Sequence, residues 1–115
     1  AYCKSTDDLP TISAKTVAIA ADGGDKTARE VYAISGRKLG AGISLLIDIL
    51  NPELVVIGSI FARSEDLLRP EMQRVIDAES LSGAAAKCRV VPALLGESIG
   101  DIAALSVAAN GLKNK

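Results

Sequence analysis

Residues 40–58 read GAGISLLIDILNPELVVIG, and this stretch determines how the chain folds. Its first half places apolar residues at helical spacing and ends at Asn51-Pro52, where proline stops a helix. Residues 54–57 then form an apolar run, LVVI, which is too short for a helix and is followed by Gly58. An uninterrupted run of this kind is typical of a strand covered by helices on both faces. The stretch therefore predicts a helix, a turn and a buried strand of an α/β protein.

Apolar spacing and turn residues predict the remaining elements on either side of this stretch. We expect helices at about 11–21, from the cap Asp25 to Leu50, at 65–79 and from Ser98 to Asn110, and strands at 54–57 and 89–94. Ser64 is the predicted cap of the third helix, which has Pro70 near its start, and Gly111 is expected to stop the last helix. Two strands joined by a helical crossover form a parallel pair, and sheets of two strands seldom stand alone. The sheet is thus expected to be incomplete, so that its missing strands come from upstream polypeptide or a partner chain, or its apolar face self-associates.

Composition and charge exclude several classes of protein. The chain has 115 residues, enough for one domain, and its 13 basic and 14 acidic residues leave a net charge of -1. We therefore expect this segment to bind neither nucleic acid nor a membrane surface. The sequence has no apolar run of the roughly 20 residues that span a bilayer and no signal-sequence pattern, which indicates the cytoplasm. Cys3 and Cys88 lie far apart and histidine is absent, so we expect neither a metal site nor a disulfide.

Glycines mark the candidate ligand contacts. Gly58 and the small Ser59 follow the predicted strand, where backbone can approach a nucleotide, although a plain strand-to-helix turn explains them as well. Gly36, Gly40 and Gly42 interrupt a helix at a cost of up to ~1 kcal/mol each, which predicts compensation by a ligand or by another helix. The turn at 96–98 could bind an anion, but Ser98 as an ordinary helix cap is the simpler interpretation.

Three segments together resemble a known family. KLGAGI at 38–43, NPELVVIG at 51–58 and LGESIG at 95–100 occur in the order and spacing of the ROK family, which contains sugar kinases and sugar-responsive repressors. The resemblance covers nearly the whole chain. It implies an actin-like, ribonuclease-H-like fold with two lobes and ATP in the cleft between them. Residues 1–115 would then be a single segment of the C-terminal lobe, a short parallel sheet with flanking helices that is incomplete alone.

The resemblance also implies a function, that of a glucokinase-like sugar kinase. Such an enzyme transfers the γ-phosphoryl group of Mg-ATP to a sugar hydroxyl, and this chain would supply the adenosine side of the cleft through Gly58 and Ser59, with Gly40 and Gly42 as further contacts. The family's phosphate-binding loop, catalytic Asp and zinc ligands lie upstream of Ala1. No catalytic or metal-binding residue is therefore assigned here, and the sugar substrate would bind through the missing lobe.

Two alternatives to the kinase stay open at this point. The chain could be the effector-binding and dimerisation module of a ROK-type sugar-responsive transcriptional repressor, or a structural fragment without activity. Its start at a residue other than methionine suggests a fragment or a processed end. A homo-oligomer is expected in each case, because the predicted sheet leaves apolar surface uncovered.

Overall fold

The computed structural model describes residue 3 and residues 5–113, and this part of the chain is a mixture of helices and a short sheet. The elements are α1 (Ala14–Asp22), α2 (Lys26–Leu50), β1 (Leu54–Ile57), α3 (Ile60–Arg63), α4 (Glu65–Glu79), α5 (Ser82–Ala85), β2 (Arg89–Pro92) and α6 (Ile99–Lys113). Short 3-10 helices at Thr6–Thr11 and Gly96–Ser98 precede α1 and α6. The predicted order of long helices and strands is confirmed, while α3, α5 and the 3-10 helices were not predicted.

Local capping explains where the first two helices begin and end. The Ser13 hydroxyl accepts a hydrogen bond from the backbone N–H of Thr16, so α1 begins three residues later than predicted. The Asp25 carboxylate accepts from the N–H of Ala28 at 2.9 Å and caps α2 as predicted. Helix α2 then runs unbroken to Leu50, where Asn51 adopts the left-handed conformation common at helix ends.

Helices α2 and α4 form the main packing contact, and glycines on α2 make it close. A Cβ atom added at Gly36 would lie 2.6 Å from the carbonyl oxygen of Leu68, and one added at Gly40 would lie 2.5 Å from that of Met72. No side chain fits at either position without a shift of the α4 backbone. The predicted compensation for these two glycines is therefore the close approach of another helix.

The sheet consists of β1 and β2, which pair in parallel with Leu54 opposite Arg89 and Ile57 opposite Pro92. Val55 and Ile57 face the helices and pack against the core. Leu54 and Val56 face the other way and are 45% and 56% exposed. The expectation that β1 is covered on both faces is thus wrong for the described residues, because helices cover only one face of the pair.

The core lies between this covered face and the helices. Ile47, Phe61 and Met72 are its largest fully buried side chains. Arg69 joins α4 to the sheet, because its guanidinium donates to the carbonyl oxygen of Val90 at 2.9 Å and lies 5.6 Å from the centre of the Phe61 ring. Phe61 therefore serves the core, although it lies only two positions after Ser59 of the candidate ligand turn.

Three further sequence predictions need correction. Ser64 precedes α4 but makes no side-chain capping bond, because its hydroxyl lies beside that of Tyr32 instead. Helix α6 passes through Gly111 to Lys113, since a glycine lowers helix stability without forbidding the helix. Strand β2 ends at Pro92 rather than at Leu94.

Cys3 and Cys88 are free thiols. Within the described residues, no helix combines the length and the apolar character that crossing a membrane requires.

Candidate functional site

The turn after β1 is the candidate site that the sequence singles out, and the structure places it at the carboxyl ends of the two parallel strands. The chain leaves β1 at Gly58 beside the end of β2, where the N–H of Ala93 donates to the carbonyl oxygen of Ile57 at 2.9 Å. A Cβ added at Gly58 would meet only the Cβ of Ala93, at 4.0 Å. The turn is therefore open to an approaching group, in the position where α/β proteins bind ligands.

Ser59 holds a strained backbone conformation in this turn. Its φ is 55° and its ψ is -125°, a combination that favours glycine. Its carbonyl oxygen accepts a hydrogen bond from Ala62, and its side chain makes no capping bond to α3. A glycine would adopt this backbone conformation without strain.

The other two predicted contacts lie at different places on α2. Gly40 is covered by α4, so the helix contact accounts for this glycine without any ligand. Gly42 has no atom within 4 Å of an added Cβ and lies on open surface. The nucleotide contacts predicted for Gly58, Ser59, Gly40 and Gly42 stay predictions, and the structure assigns only the first two to one turn.

A cavity of about 180 Å³ between α1, α2 and α3 was not predicted. Its most buried polar groups are the hydroxyls of Tyr32 and Ser64, whose oxygens are 3.4 Å apart, and Tyr32 also donates to the carbonyl oxygen of Ala14 at 3.0 Å. Charged side chains surround its opening: Lys15, Asp22 and Arg63. Tyr32 is one of three aromatic residues in the chain and is 5% exposed, and this scarcity was the one signal in the sequence.

An ion-pair network lies on the outer side of α2 and α4. Arg37 bridges Glu30 and Glu71, with nitrogen–oxygen distances of 3.0 and 3.1 Å, and Arg74 pairs with Glu71 at 2.9 Å. Hydrogen bonds from Arg74 and Arg37 lower the pKa of Glu71 below the usual range of a glutamate. Hydrogen bonds to Glu30 and Glu71 raise the pKa of Arg37. This network stabilises the α2–α4 contact and contains no group placed for chemistry.

The described residues contain no group of three or more His, Cys, Asp or Glu side chains that could hold a metal ion. The residues around the turn after β1 offer backbone and small side chains. The turn can therefore contact a ligand by shape and backbone hydrogen bonds, and the acid, base or metal of a phosphoryl transfer would have to come from elsewhere.

A parallel strand pair flanked by helices, with an open glycine turn at its carboxyl end, is the arrangement that the resemblance predicts. A family model described as the ROK family matches residues 3–110. The chain belongs to the ROK family.

Individual relatives within this family are transcription regulators. The chain is 33% identical over 73 residues to the DNA-binding transcriptional dual regulator NagC of Escherichia coli (strain K12), and equally to the N-acetylglucosamine repressor of Shigella flexneri. Each match covers 64% of this chain and 18% of the relative's length. A solved structure of a ROK family transcriptional regulator, a homolog of the E. coli MLC protein, superposes with a TM-score of 0.66 at 32% identity, over 70% of this chain and 20% of that one.

These comparisons correct two predictions. The kinase interpretation is contradicted, because the matched relatives are regulators and repressors rather than phosphotransferases. The predicted partners, a sugar substrate and no nucleic acid, are contradicted too, because NagC is by name a DNA-binding protein. ATP and Mg²⁺ were expected only through the kinase hypothesis and stay predictions that nothing here tests.

Proposed function

We propose that this chain is part of a ROK-type sugar-responsive transcriptional regulator and forms its effector-sensing and dimerisation module. The observation that carries the proposal is the 33% identity to NagC and to the N-acetylglucosamine repressor over 73 residues. The similarity to the solved ROK regulator, at 32% identity, supports the same class. DNA binding would belong to the complete gene product, because this chain corresponds to only about a fifth of each relative's length.

The finer description of the fold is part of the proposal. We infer that residues 1–115 form one segment of the second lobe of an actin-like fold, with further strands paired at a free edge of the β1–β2 pair and further helices covering its open face. Apart from Arg89, which lies opposite Leu54, the residues that line this face are apolar: Leu54, Val56, Val91, Pro92, Ala93, Leu94 and Leu95. An apolar face on both sides of β1 is what a covered central strand requires.

The effector is proposed to approach the turn formed by Gly58 and Ser59. The name of the N-acetylglucosamine repressor suggests an N-acetylated amino sugar or a derivative of it as the chemical class. An open glycine turn allows backbone N–H and C=O groups to reach sugar hydroxyls. In a regulator, sugar binding has to favour one of two conformations and so change the affinity for DNA.

The experiment uses the product of the complete gene, purified and mixed with labelled DNA from its own promoter. Fluorescence anisotropy is expected to show specific binding, and N-acetylglucosamine, its phosphate ester, or another sugar of a panel should weaken that binding by about tenfold or more. A Gly58→Val variant should bind the same DNA and lose the sugar response. Gly83→Val is the matched control, because Gly83 also has no atom within 4 Å of an added Cβ but lies far from the turn in sequence.

Two results would contradict the proposal. One is the absence of specific DNA binding at any salt concentration tested, with the protein folded by circular dichroism. The other is release of ADP from Mg-ATP at a rate that depends on a sugar in the panel, because that result would show sugar kinase activity.

A further inference from the structure

Helix α3 follows the candidate ligand turn directly and is held to the body of the protein at two points. At its centre, the Phe61 side chain is buried and packs in the core. At its end, the hydroxyl oxygen of the buried Ser64 lies 3.4 Å from that of Tyr32 on α2. The backbone N–H of Ala62 donates to the carbonyl oxygen of Ser59 at 3.2 Å, which joins the helix to the turn. The position of the turn therefore depends on these two anchors.

The Tyr32 hydroxyl is buried where α1 and the end of α3 meet. It donates to the carbonyl oxygen of Ala14 at 3.0 Å. Because this hydroxyl has a single proton, which is used at Ala14, the Ser64 hydroxyl is assigned as the donor in the second contact and the Tyr32 oxygen as its acceptor. One buried oxygen thus joins the first residue of α1 to the residue between α3 and α4.

Ser59 is the residue that this anchoring constrains. Its φ of 55° and ψ of -125° lie outside the regions that a serine adopts without strain. Strained backbone of this kind persists only where the surrounding structure holds it in place. On the strand side, the hydrogen bond from Ala93 to Ile57 fixes the chain. On the helix side, the anchors are Phe61 and Ser64, so the strained residue is held from both directions.

We propose that Tyr32 is a positioning residue for the effector turn. Its hydroxyl acts through Ser64 to keep α3 in place, and α3 in turn keeps Ser59 in the conformation that shapes the turn. The proposal rests on the function proposed above, in which the sugar approaches Gly58 and Ser59. Without the hydroxyl, the turn is expected to spend part of its time in relaxed conformations. The apparent sugar affinity then falls in proportion to the fraction of molecules that keep the competent conformation.

The first test is deuterium exchange of the complete gene product, followed by mass spectrometry. Tyr32→Phe removes only the hydroxyl, and Ser64→Ala removes the other half of the contact. Both should speed exchange at residues 59–64 by roughly threefold to tenfold, the range that loss of one hydrogen bond gives. Tyr32→Phe should also speed exchange at residues 14–18, because its bond to Ala14 is lost, whereas Ser64→Ala should not. If Tyr32→Phe does not fold, Ser64→Ala tests the same contact.

The second test is the sugar response, measured by anisotropy with the promoter DNA. Tyr32→Phe should need roughly threefold to tenfold more N-acetylglucosamine, or more of its phosphate ester, for half release of the DNA. The same change made in a Ser59→Gly background should shift that concentration by less than about twofold, because glycine adopts this backbone conformation without strain and needs no anchor. A purely structural role of Tyr32 would give equal shifts in the two backgrounds.

Ser44→Ala is the matched control. Ser44 is buried further along the same helix, and its hydroxyl donates to the carbonyl oxygen of Gly40 at 2.9 Å. The variant therefore also removes one buried hydroxyl and its hydrogen bond, but away from α3. Neither exchange at residues 59–64 nor the sugar concentration for half release should change.

Three outcomes overturn the proposal: exchange at residues 59–64 that neither Tyr32→Phe nor Ser64→Ala changes, an equal increase of that exchange in Ser44→Ala, or equal shifts of the sugar response in the parent and Ser59→Gly backgrounds. Failure of the proposed function appears separately, as a parent protein whose DNA binding ignores every sugar of the panel. In that case the exchange measurement still decides whether Tyr32 positions the turn.

Discussion

At the scale of the residue, Gly40 shows how little space separates α2 from α4. Gly40→Ala is expected to lower the free energy of unfolding by roughly 1–3 kcal/mol, because the new Cβ would lie 2.5 Å from the Met72 carbonyl oxygen. Urea denaturation followed by circular dichroism measures the change. Gly42→Ala is the matched control on the same helix, because a Cβ added at Gly42 meets nothing within 4 Å. It should leave stability unchanged or raise it by up to ~1 kcal/mol. Equal losses at both positions would refute the packing explanation.

Ser59 carries backbone strain that a glycine would relieve. With φ at 55° and ψ at -125°, Ser59→Gly is expected to raise the free energy of unfolding by about 1 kcal/mol. Thermal and urea unfolding measure the gain. Asn51→Gly serves as the comparison, because Asn51 lies in the left-handed region that asparagine tolerates, and its change should stay within about 0.5 kcal/mol. A destabilised Ser59→Gly protein would show that the serine side chain matters more than the strain.

Glu71 makes stability depend on pH in a defined direction. Its pKa is lowered in the folded protein, first by the hydrogen bond from Arg74 and then by that from Arg37. The stabilisation is therefore present above the ordinary pKa of a glutamate and is lost as pH falls through the lowered value. Glu71→Gln should be less stable than the parent at neutral pH, and the difference should shrink in acid. Urea titrations across that pH range check this, and a difference independent of pH would contradict it.

At the scale of the element, α6 contributes little to the folded body. Residues 101–112 are all exposed, and the contacts of α6 are mainly with the 3-10 helix before it. Deletion of residues 99–115 is therefore expected to change the free energy of unfolding of the remainder by less than about 0.5 kcal/mol. Calorimetry compares the truncated and the parent chain at equal concentration. Loss of the cooperative transition would show that α6 packs on the body or on a second copy.

Elements with local signals were predictable from the sequence, and elements defined by distant contacts were not. The cap at Asp25, the apolar stripe of α2 and the run LVVI fixed α2 and β1 at their observed bounds. Ser64 failed as a cap, because Tyr32, 32 positions earlier, draws its hydroxyl away. Gly111 failed as a stop, because a lone glycine lowers helix stability by only ~1 kcal/mol.

The same distinction holds for the candidate site. The position of Gly58 and Ser59 at a strand end follows from the order of elements, and the structure places them there. The strain at Ser59 depends on how α3 joins the core, which spacing does not encode. The hydroxyl pair of the cavity brings Tyr32 and Ser64 together across the fold, and only the packed helices reveal it.

At the scale of the whole molecule, the chain is more extended than a compact domain of its length. Its radius of gyration is 17.7 Å, against roughly 13 Å expected for about 115 residues. Helix α6 accounts for this extension, because residues 101–112 are all exposed and α6 contacts mainly the 3-10 helix before it. Leu54 and Val56 on the open face of the strand pair are exposed as well.

The glycine contact between α2 and α4 should determine which backbone amides exchange slowest with solvent. Gly36 and Gly40 bring the backbone of α2 close to the carbonyl groups of Leu68 and Met72, which leaves no room for water between the two helices. We therefore expect the backbone amides of α2 and α4 at this contact to exchange with deuterium only when the helices separate. Mass spectrometry of deuterium uptake should find α2 and α4 the slowest segments and α6 among the fastest. If α2 and α4 exchange faster than α6, the two helices are not the unit whose opening unfolds the protein.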